Sequence, residues 1–176
     1  NLDTKDYVSH KSKKPFELKH FIEFPKEYES TTFDYLKVSD LYISAHYWDP
    51  SSPKIFTKKQ IKQFSNLKII GDVTCDVDGS IPTTIKSTTI EEPNFYLNTE
   101  TFSEIDKFDS DLAVMAVDNL PSELPRDSST EFGNGIVNEV IPYILGKDDG
   151  RILNSTIADK GRFLEKYTYL NEYIKS

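Results

Sequence analysis

Leu67-Lys68-Ile69-Ile70-Gly71-Asp72-Val73-Thr74-Cys75-Asp76-Val77-Asp78-Gly79-Ser80-Ile81-Pro82 decides how this chain folds. A short apolar run, the pattern of a buried strand, passes straight into a cluster of carboxylates, a glycine turn and a proline. In open α/β sheets, ligands bind just beyond the carboxyl ends of strands, so acids placed there can meet one. The arrangement recurs at Leu112-Ala113-Val114-Met115-Ala116-Val117, which ends in Asp118-Asn119-Leu120-Pro121. Two strands ending in acids read as one site.

Working outward, residues 41–48 carry β-branched and aromatic side chains between Asp40 and Asp49-Pro50, and are expected to form a strand. Residues 49–53 form a loop by composition. Thr57 offers an N-cap for a helix over 58–64, with Ile61 and Phe64 on one face. Strand, loop, helix, then the strand at 67–73 make a βαβ unit with a parallel sheet, hence an α/β fold. Upstream, 21–25 reads as a short strand or extended segment halted by Pro25, and 28–37 as a short helix or turn. Downstream, 80–108 does not look helical, and 94–97 is expected to be an edge strand or hairpin arm. Arg126-Asp127-Ser128-Ser129 can cap a helix with an apolar stripe at Phe132, Ile136, Val137, Val140, Ile141 and Ile144. Gly133, Gly135 and Pro142 weaken or bend it. Residues 146–150 read as a turn, 151–156 as a short strand, and 163–174 as a terminal helix with Phe163, Leu164, Tyr167, Leu170 and Ile174 inward.

The 176 residues suit about one domain, and 37% apolar with 12% aromatic content is ordinary for a globular protein. A net charge of −8 argues against nucleic acid, whose binding needs clustered cations. Lys11, Lys13 and Lys14 form a short basic cluster that reads as a solvated loop. No apolar run approaches the ~20 residues that span a bilayer, so no membrane association is expected. A single cysteine, Cys75, excludes an internal disulfide framework and fits a reducing compartment. No signal-peptide pattern is present, and the expectation is a soluble cytoplasmic protein. The chain opens on Asn1 instead of Met, and is expected to lack its natural beginning.

Asp72, Asp76 and Asp78 can cap a turn or contact a ligand. They do not make a calcium loop starting at Asp72, because Val77 stands where glycine is required. Cys75 reads as an inert thiol and His46 as a structural imidazole. His10 and His20 give little signal, and one cysteine with three scattered histidines argues against zinc; no metal ligands are assigned. Two prolines in Asp118-Asn119-Leu120-Pro121-Ser122-Glu123-Leu124-Pro125 make a stiff turn, suited either to holding a flat cofactor or to linking strand and helix. The Gly-x-Gly-x-x-Gly turn of dinucleotide folds is absent. Either the chain does not bind a dinucleotide alone, or it holds only the later part of such a fold.

These segments resemble one family in four places. Tyr42-Ile43-Ser44-Ala45-His46-Tyr47-Trp48 with Pro53-Lys54-Ile55-Phe56-Thr57 is similar to "IN-x-IYW…TPRLLT". Ile70-Gly71-Asp72-Val73-Thr74-Cys75-Asp76 with Gly79-Ser80-Ile81 resembles "ICDISAD…GSI". Thr88-Thr89-Ile90-Glu91-Glu92-Pro93 resembles "TTIEHP", and residues 117–125 resemble "IDNLPAQLP". The family is lysine-ketoglutarate reductase, the lysine-forming saccharopine dehydrogenases, related to alanine dehydrogenase and the transhydrogenase NAD-binding subunit. Its members have two Rossmann-like domains, and reversibly join lysine and 2-oxoglutarate using hydride from a nicotinamide cofactor.

The resemblance implies NAD or NADP as cofactor, lined by Tyr47, Val73, Val117, Asp118, Asn119 and Leu120. Thr74, Cys75 and Asp76 would approach the amino-acid substrate. The family's catalytic lysine and histidine, and its glycine-rich turn, lie upstream of everything matched, so no catalytic residue is assigned. What is implied is the second half of a Rossmann-like parallel-sheet domain over 1–125, then a helix and return segment over 126–176 toward the substrate domain. The expected partners are the missing N-terminal half, an amino-acid substrate and, in some assemblies, further copies of the chain. Alone, the chain is expected to be inactive. Ala45 and His46 depart from the family's usual apolar or cysteine residues there. A non-catalytic binding or interaction module on the same half-fold is the alternative; it would cover its sheet edge. A metal-dependent hydrolase using Asp72, Asp76 and Asp118 is a weaker reading.

Overall fold

The chain enters through a small antiparallel ladder. In the computed structural model, which describes residues 2–174, helix α1 (Thr4–Tyr7) leads into strand β1 (Val8–His10). Helix α2 (Leu18–Glu23) follows, and strand β2 (Tyr28–Ser30) returns beside β1. The extended segment expected over 21–25 is therefore helical. One helical turn sets the Phe21 ring edge-on to Tyr28 at 5.1 Å, with Phe16 6.0 Å from the same ring. Burying that aromatic group outweighs the weak periodicity of the segment, and Pro25 then opens a 3-10 turn. Residues 28–37 hold β2 and helix α3 (Phe33–Lys37).

The central sheet contains β3 (Leu41–Ser44), β4 (Ile69–Asp72), β5 (Asn94–Asn98), β6 (Ser103–Glu104) and β7 (Leu112–Met115), in the order β3-β4-β7-β5-β6. β3, β4 and β7 are mutually parallel, and β5 runs antiparallel to both β7 and β6. This is the expected α/β, Rossmann-like sheet with an antiparallel extension. Residues 94–97 form a hairpin arm inside the sheet and not at its edge. Ile70, Phe95, Leu97, Leu112 and Val114 share one face, fully buried against Ile55, Phe56, Ile61, Phe64, Leu67 and Ile81. Side chains of this size each stabilise by ~1.5–3 kcal/mol when buried. The alternate positions Leu41, Ile43 and Ile69 lie on the other face and are exposed.

Three expected elements are shorter or different. β3 stops at Ser44: its last ladder bond runs from the Val73 amide to the Ser44 carbonyl at 2.8 Å, and β4 then turns away. The helix expected over 58–64 is a 3-10 turn, Ile61–Gln63. It buries Ile61, and the buried Phe64 and Leu67 follow it at intervals of three, the repeat of a 3-10 helix. Thr57 does not cap it by accepting; its amide and hydroxyl donate to Gln60 Oε1 at 2.8 and 2.9 Å. The strand expected over 112–117 ends at Met115, and Val117 forms an isolated parallel bridge to Thr88.

The chain divides into two compact units, Asn1–Glu123 and Leu124–Ser176. In the second, α4 (Pro125–Glu139) starts at the proline itself, without a side-chain cap. Gly133 and Gly135 do not interrupt it. The break comes at Val140, after which α5 (Ile141–Leu145) carries Pro142 in its first turn. None of the stripe residues Phe132, Ile136, Val137, Val140, Ile141 and Ile144 is fully buried. Residues 151–156, expected as a strand, form α6 (Arg151–Ser155). The Asp148 carboxylate accepts from the Ile152 and Leu153 amides at 3.0 Å each, a cap that fixes a helix start. Arg151 stacks on Tyr143 at 3.6 Å and pairs with Glu139 at 2.7 Å. The terminal helix expected over 163–174 is divided. A hairpin, β8 (Ala158–Asp159) and β9 (Arg162–Phe163), turns through Lys160 and Gly161 at φ 49° and 76°. A 3-10 stretch and α7 (Asn171–Ile174) follow.

Candidate functional site

The site is built where β4 and β7 end side by side. Register pairs Gly71 with Met115, so the turns after Asp72 and after Val117 leave adjacent strands in the same direction. Asp72 is fully buried, and both carboxylate oxygens are engaged. Oδ1 accepts from the Thr74 amide at 3.1 Å and the Thr74 hydroxyl at 2.5 Å, and Oδ2 accepts from the Thr84 hydroxyl at 2.6 Å. A buried acid is tolerable when its lone pairs are met in this way. Asp72 therefore ties the turn to residues 80–84 instead of facing a ligand.

The turn itself is strained. Cys75 and Asp78 adopt φ of 49° and 55°, left-handed values that cost a non-glycine residue energy and collect at functional sites. Gly79 closes it: its amide donates to the Asp76 carbonyl at 2.9 Å, and an added Cβ would lie 2.5 Å from Asp76 Cβ. On β7 the equivalent clamp is Thr88. Its hydroxyl accepts from the Ala116 amide at 3.1 Å and donates to the Pro93 carbonyl at 2.9 Å, while its own amide donates to Ala116 O. Asp118 and Asn119 follow, both exposed, before a 3-10 turn over Leu120–Glu123.

Cys75 joins the two turns electrostatically. Burial raises its thiol pKa first, and the carboxylates of Asp72, Asp76 and Asp118 add to the rise. The thiol therefore stays protonated at neutral pH and is a poor nucleophile. On β3, Ser44 pairs with Asp72, and His46 Nδ1 shares a hydrogen bond with Ser44 Oγ at 3.1 Å. His46 Nε2 is enclosed without a hydrogen-bond partner. Burial lowers the His46 pKa, opposed by Asp72 and Asp76. Burial likewise pushes Tyr42, one strand alternation below Ser44, up to about 12.

Of the residues assigned from sequence, Tyr47 projects freely at 90% exposure, and Val73 is exposed beside β4. Thr74 and Cys75 are half-buried, and Asp76 is open to solvent. Val117 is buried, its amide donating to Met115 Sδ at 3.4 Å, and Leu120 is half-buried. No phosphate-binding glycine turn accompanies these residues. Sequence reasoning passed over the hydroxyls of Thr84 and Thr88, in a stretch read only as extended chain, and of Ser44, read only as part of a strand.

The hydrolase reading does not hold, because Asp72 is saturated by hydroxyl and amide donors. Among the described residues, Asp72, Asp76 and Asp118 do not form a group with metal-ligand spacing. His10, His20 and Glu27 do bring ligand atoms within 4.8 Å of one another, gathering two histidines that look scattered in sequence. His10 is nevertheless committed: its Nδ1 accepts the Ser12 amide at 3.0 Å, so Nε2 carries the proton shared with Glu27 at 3.0 Å. With no free lone pair on His10, the cluster is a hydrogen-bonded clamp on the β1–β2 ladder.

Parallel strands ending in adjacent, clamped turns define a Rossmann-like domain of the dehydrogenase kind. The profile of the alanine dehydrogenase/PNT C-terminal domain matches residues 2–161, and the chain belongs to that family. It is 27% identical over 186 residues to the alpha-aminoadipic semialdehyde synthase of Arabidopsis thaliana, covering 99% of this chain and 18% of that protein. The mitochondrial alpha-aminoadipic semialdehyde synthase of Bos taurus is 24% identical over 180 residues, covering 85% and 19%. Alanine dehydrogenase 2 of Staphylococcus aureus (strain USA300) is 30% identical over 112 residues, covering 63% and 26%. The chain thus spans less than a fifth of the first two relatives and about a quarter of the third. Among the described residues, no helix is long and apolar enough to cross a membrane.

Proposed function

We propose that this chain is the carboxyl-terminal portion of an NAD(P)-dependent amino-acid oxidoreductase of the lysine-ketoglutarate reductase kind, and that it works only with an amino-terminal half. The observation that carries the reading is the side-by-side exit of β4 and β7 into turns that bear the exposed acids Asp76 and Asp118. A nicotinamide bound there would supply the hydride chemistry. The chain's own residues would do the holding. Tyr47 and Val73 flank a flat ring, the backbone at 117–120 orients its carboxamide, and Asp76 with Asp118 attracts a cationic amine. Thr74 and Cys75 border the amine as neutral neighbours, and residues 126–176 lead back toward the substrate domain.

The need for a second half is supported by the sheet. Among the described residues β3 pairs only with β4, so its outer edge has no strand partner, and Ile43 on the exposed face is 60% exposed. The self-contained module was expected to cover that edge. A parallel edge without a strand partner beside an exposed apolar face suits an incoming strand and its helices. The test is turnover of NADH or NADPH with L-lysine and 2-oxoglutarate, and in reverse with saccharopine. The intact protein carrying this chain should be active, and the 176-residue chain should not. Turnover by the chain alone at the intact protein's rate would refute the half-domain reading. Failure of the intact protein to use either nucleotide with any amino acid would refute the oxidoreductase.

A further inference from the structure

One short segment, residues 84–88, ties the tips of both strands of the site. At its start the Thr84 hydroxyl donates to Asp72 Oδ2 at 2.6 Å, and the Thr84 carbonyl accepts the Asp78 amide at 3.1 Å. Thr84 thus holds the turn that bears Asp76 at two points. Thr88, only 6% exposed, grips β7 instead. Its amide donates to the Ala116 carbonyl at 2.9 Å, its hydroxyl accepts the Ala116 amide at 3.1 Å, and it forms a parallel bridge with Val117. The same hydroxyl spends its one proton on the Pro93 carbonyl at 2.9 Å, so its donor and acceptor roles are both fixed. Strand β7 ends at Met115, and Thr88 carries its order onward to the start of the 117–120 turn.

We propose that Thr88 is a positioning residue for the nicotinamide nucleotide and Thr84 one for the amino acid, so that separate hydroxyls of one segment hold the two sides of the site. This rests on the reading above that the backbone at 117–120 orients the nicotinamide and that Asp76 meets the amine. Ala116 is fully buried, so water cannot replace a lost partner for its amide. Without the Thr88 hydroxyl, that amide reaches another acceptor only if residues 116–117 move. The turn beyond does not absorb the movement. Pro121 restricts its backbone, and the Ser122 amide donates to the Asn119 carbonyl at 3.1 Å, so it shifts as a body. Displacing a positioning contact by about 1 Å is enough to lose it. The Thr84 hydroxyl acts on the β4 side alone: its loss strips one donor from Asp72 and leaves Ala116 paired.

The test uses the intact protein at one fixed pH and measures KM for NADH or NADPH and KM for L-lysine, the other substrates saturating. Thr88→Val keeps the shape and removes the hydroxyl. It should raise the nucleotide KM about fivefold or more and leave the lysine KM within about twofold. Thr84→Val should raise the lysine KM and leave the nucleotide KM within about twofold. Thr88→Ser keeps the hydroxyl and should return the nucleotide KM to within about twofold of wild type. Thr88→Cys, a weaker donor and acceptor, should fall between serine and valine, and it carries the test if the valine variant does not fold. A nucleotide KM unmoved by valine (or by cysteine, where valine does not fold) would overturn the inference. So would equal rises of both KM values in a Thr88 variant, a serine variant as impaired as valine, or a nucleotide effect of Thr84→Val as large as that of Thr88→Val. Each of these leaves the oxidoreductase reading standing. If the wild-type protein turns over no amino acid with either nucleotide, the underlying reading fails, and this inference with it.

Discussion

Replacing Asp72 probes the physical basis of the site most sharply, because two substitutions at one atom cluster should behave differently. In Asp72→Ala, three donors lose their acceptor: the Thr74 amide, the Thr74 hydroxyl and the Thr84 hydroxyl. Thr74 is half-exposed and can turn to water, but Thr84 is fully buried and cannot. Hydrogen bonds to a charged acceptor contribute about 1.5–3 kcal/mol each, and a stranded buried donor costs about 1–3 kcal/mol. Part of this is returned, since the alanine no longer keeps a carboxylate out of water. The net loss is about 2–4 kcal/mol, local to the turn. Asp72→Asn is milder. Its carbonyl can keep both Thr74 donors while its amide donates to Thr84, whose hydroxyl accepts as readily as it donates. That variant should lose about 1 kcal/mol. Amide hydrogen exchange of a peptide spanning residues 69–85 in the intact protein reads the difference. Exchange should speed up about 30-fold or more in Asp72→Ala and about fivefold in Asp72→Asn. Equal acceleration in the two variants, or none in the alanine, would refute the hydrogen-bond accounting.

Gly79→Ala should push the turn off Asp76, whose Cβ would sit 2.5 Å from the new methyl; a loss of about 1–3 kcal/mol and a raised KM for the amine are expected, checked by melting and steady-state kinetics. Cys75 should alkylate with iodoacetamide more slowly than a free thiol at pH 7.5, and Asp76→Asn or Asp118→Asn should speed it about twofold or more, because each removes a charge that raises the thiol pKa; unchanged rates would separate the acids from the cysteine. Because burial lowers the His46 pKa, the unfolded state binds its proton first, so stability should fall as pH drops below about 6.5. Denaturation midpoints of wild type and His46→Gln between pH 5 and 7 measure that slope. Ile43→Lys, on the bare face of β3, should leave the chain's own sheet in place but abolish turnover of the intact protein; full activity in this variant would leave that face without a partner.

The sheet was legible because its strands are short apolar runs that stop at acids and prolines. Ile70, Leu112 and Val114 were placed in strands from their neighbours alone, and the parallel pairing of β3 with β4 follows from the strand–loop–helix–strand pattern read there. The 3-10 turn at Ile61 was not read, although the spacing of Ile61, Phe64 and Leu67 by threes carried the signal. α6 was missed because a two-amide cap by Asp148 is a local geometric fact that strand propensity overrides on paper. The Lys160-Gly161 hairpin fell in residues 157–162, to which no element was assigned, and only Phe163 of it lay in the expected terminal helix. In the site, Asp76 and Asp118 were visible as acids after strands. The roles of Thr84 and Thr88 were not, because a hydroxyl clamp depends on partners that lie 12 and 28 residues away in the sequence. Asp72 was grouped with the ligand acids, whereas only the coordinates distinguish an acid that ties the backbone from one that faces outward.

A structure of the intact protein with NADH or NADPH and an amino acid bears most directly on the whole account. The nicotinamide should lie between Tyr47 and Val73 on one side and the backbone at 117–120 on the other, with the substrate amine reaching Asp76 and Asp118 from a shared rim. A ring bound away from the ends of β4 and β7, with those two carboxylates facing different solvent, would contradict it.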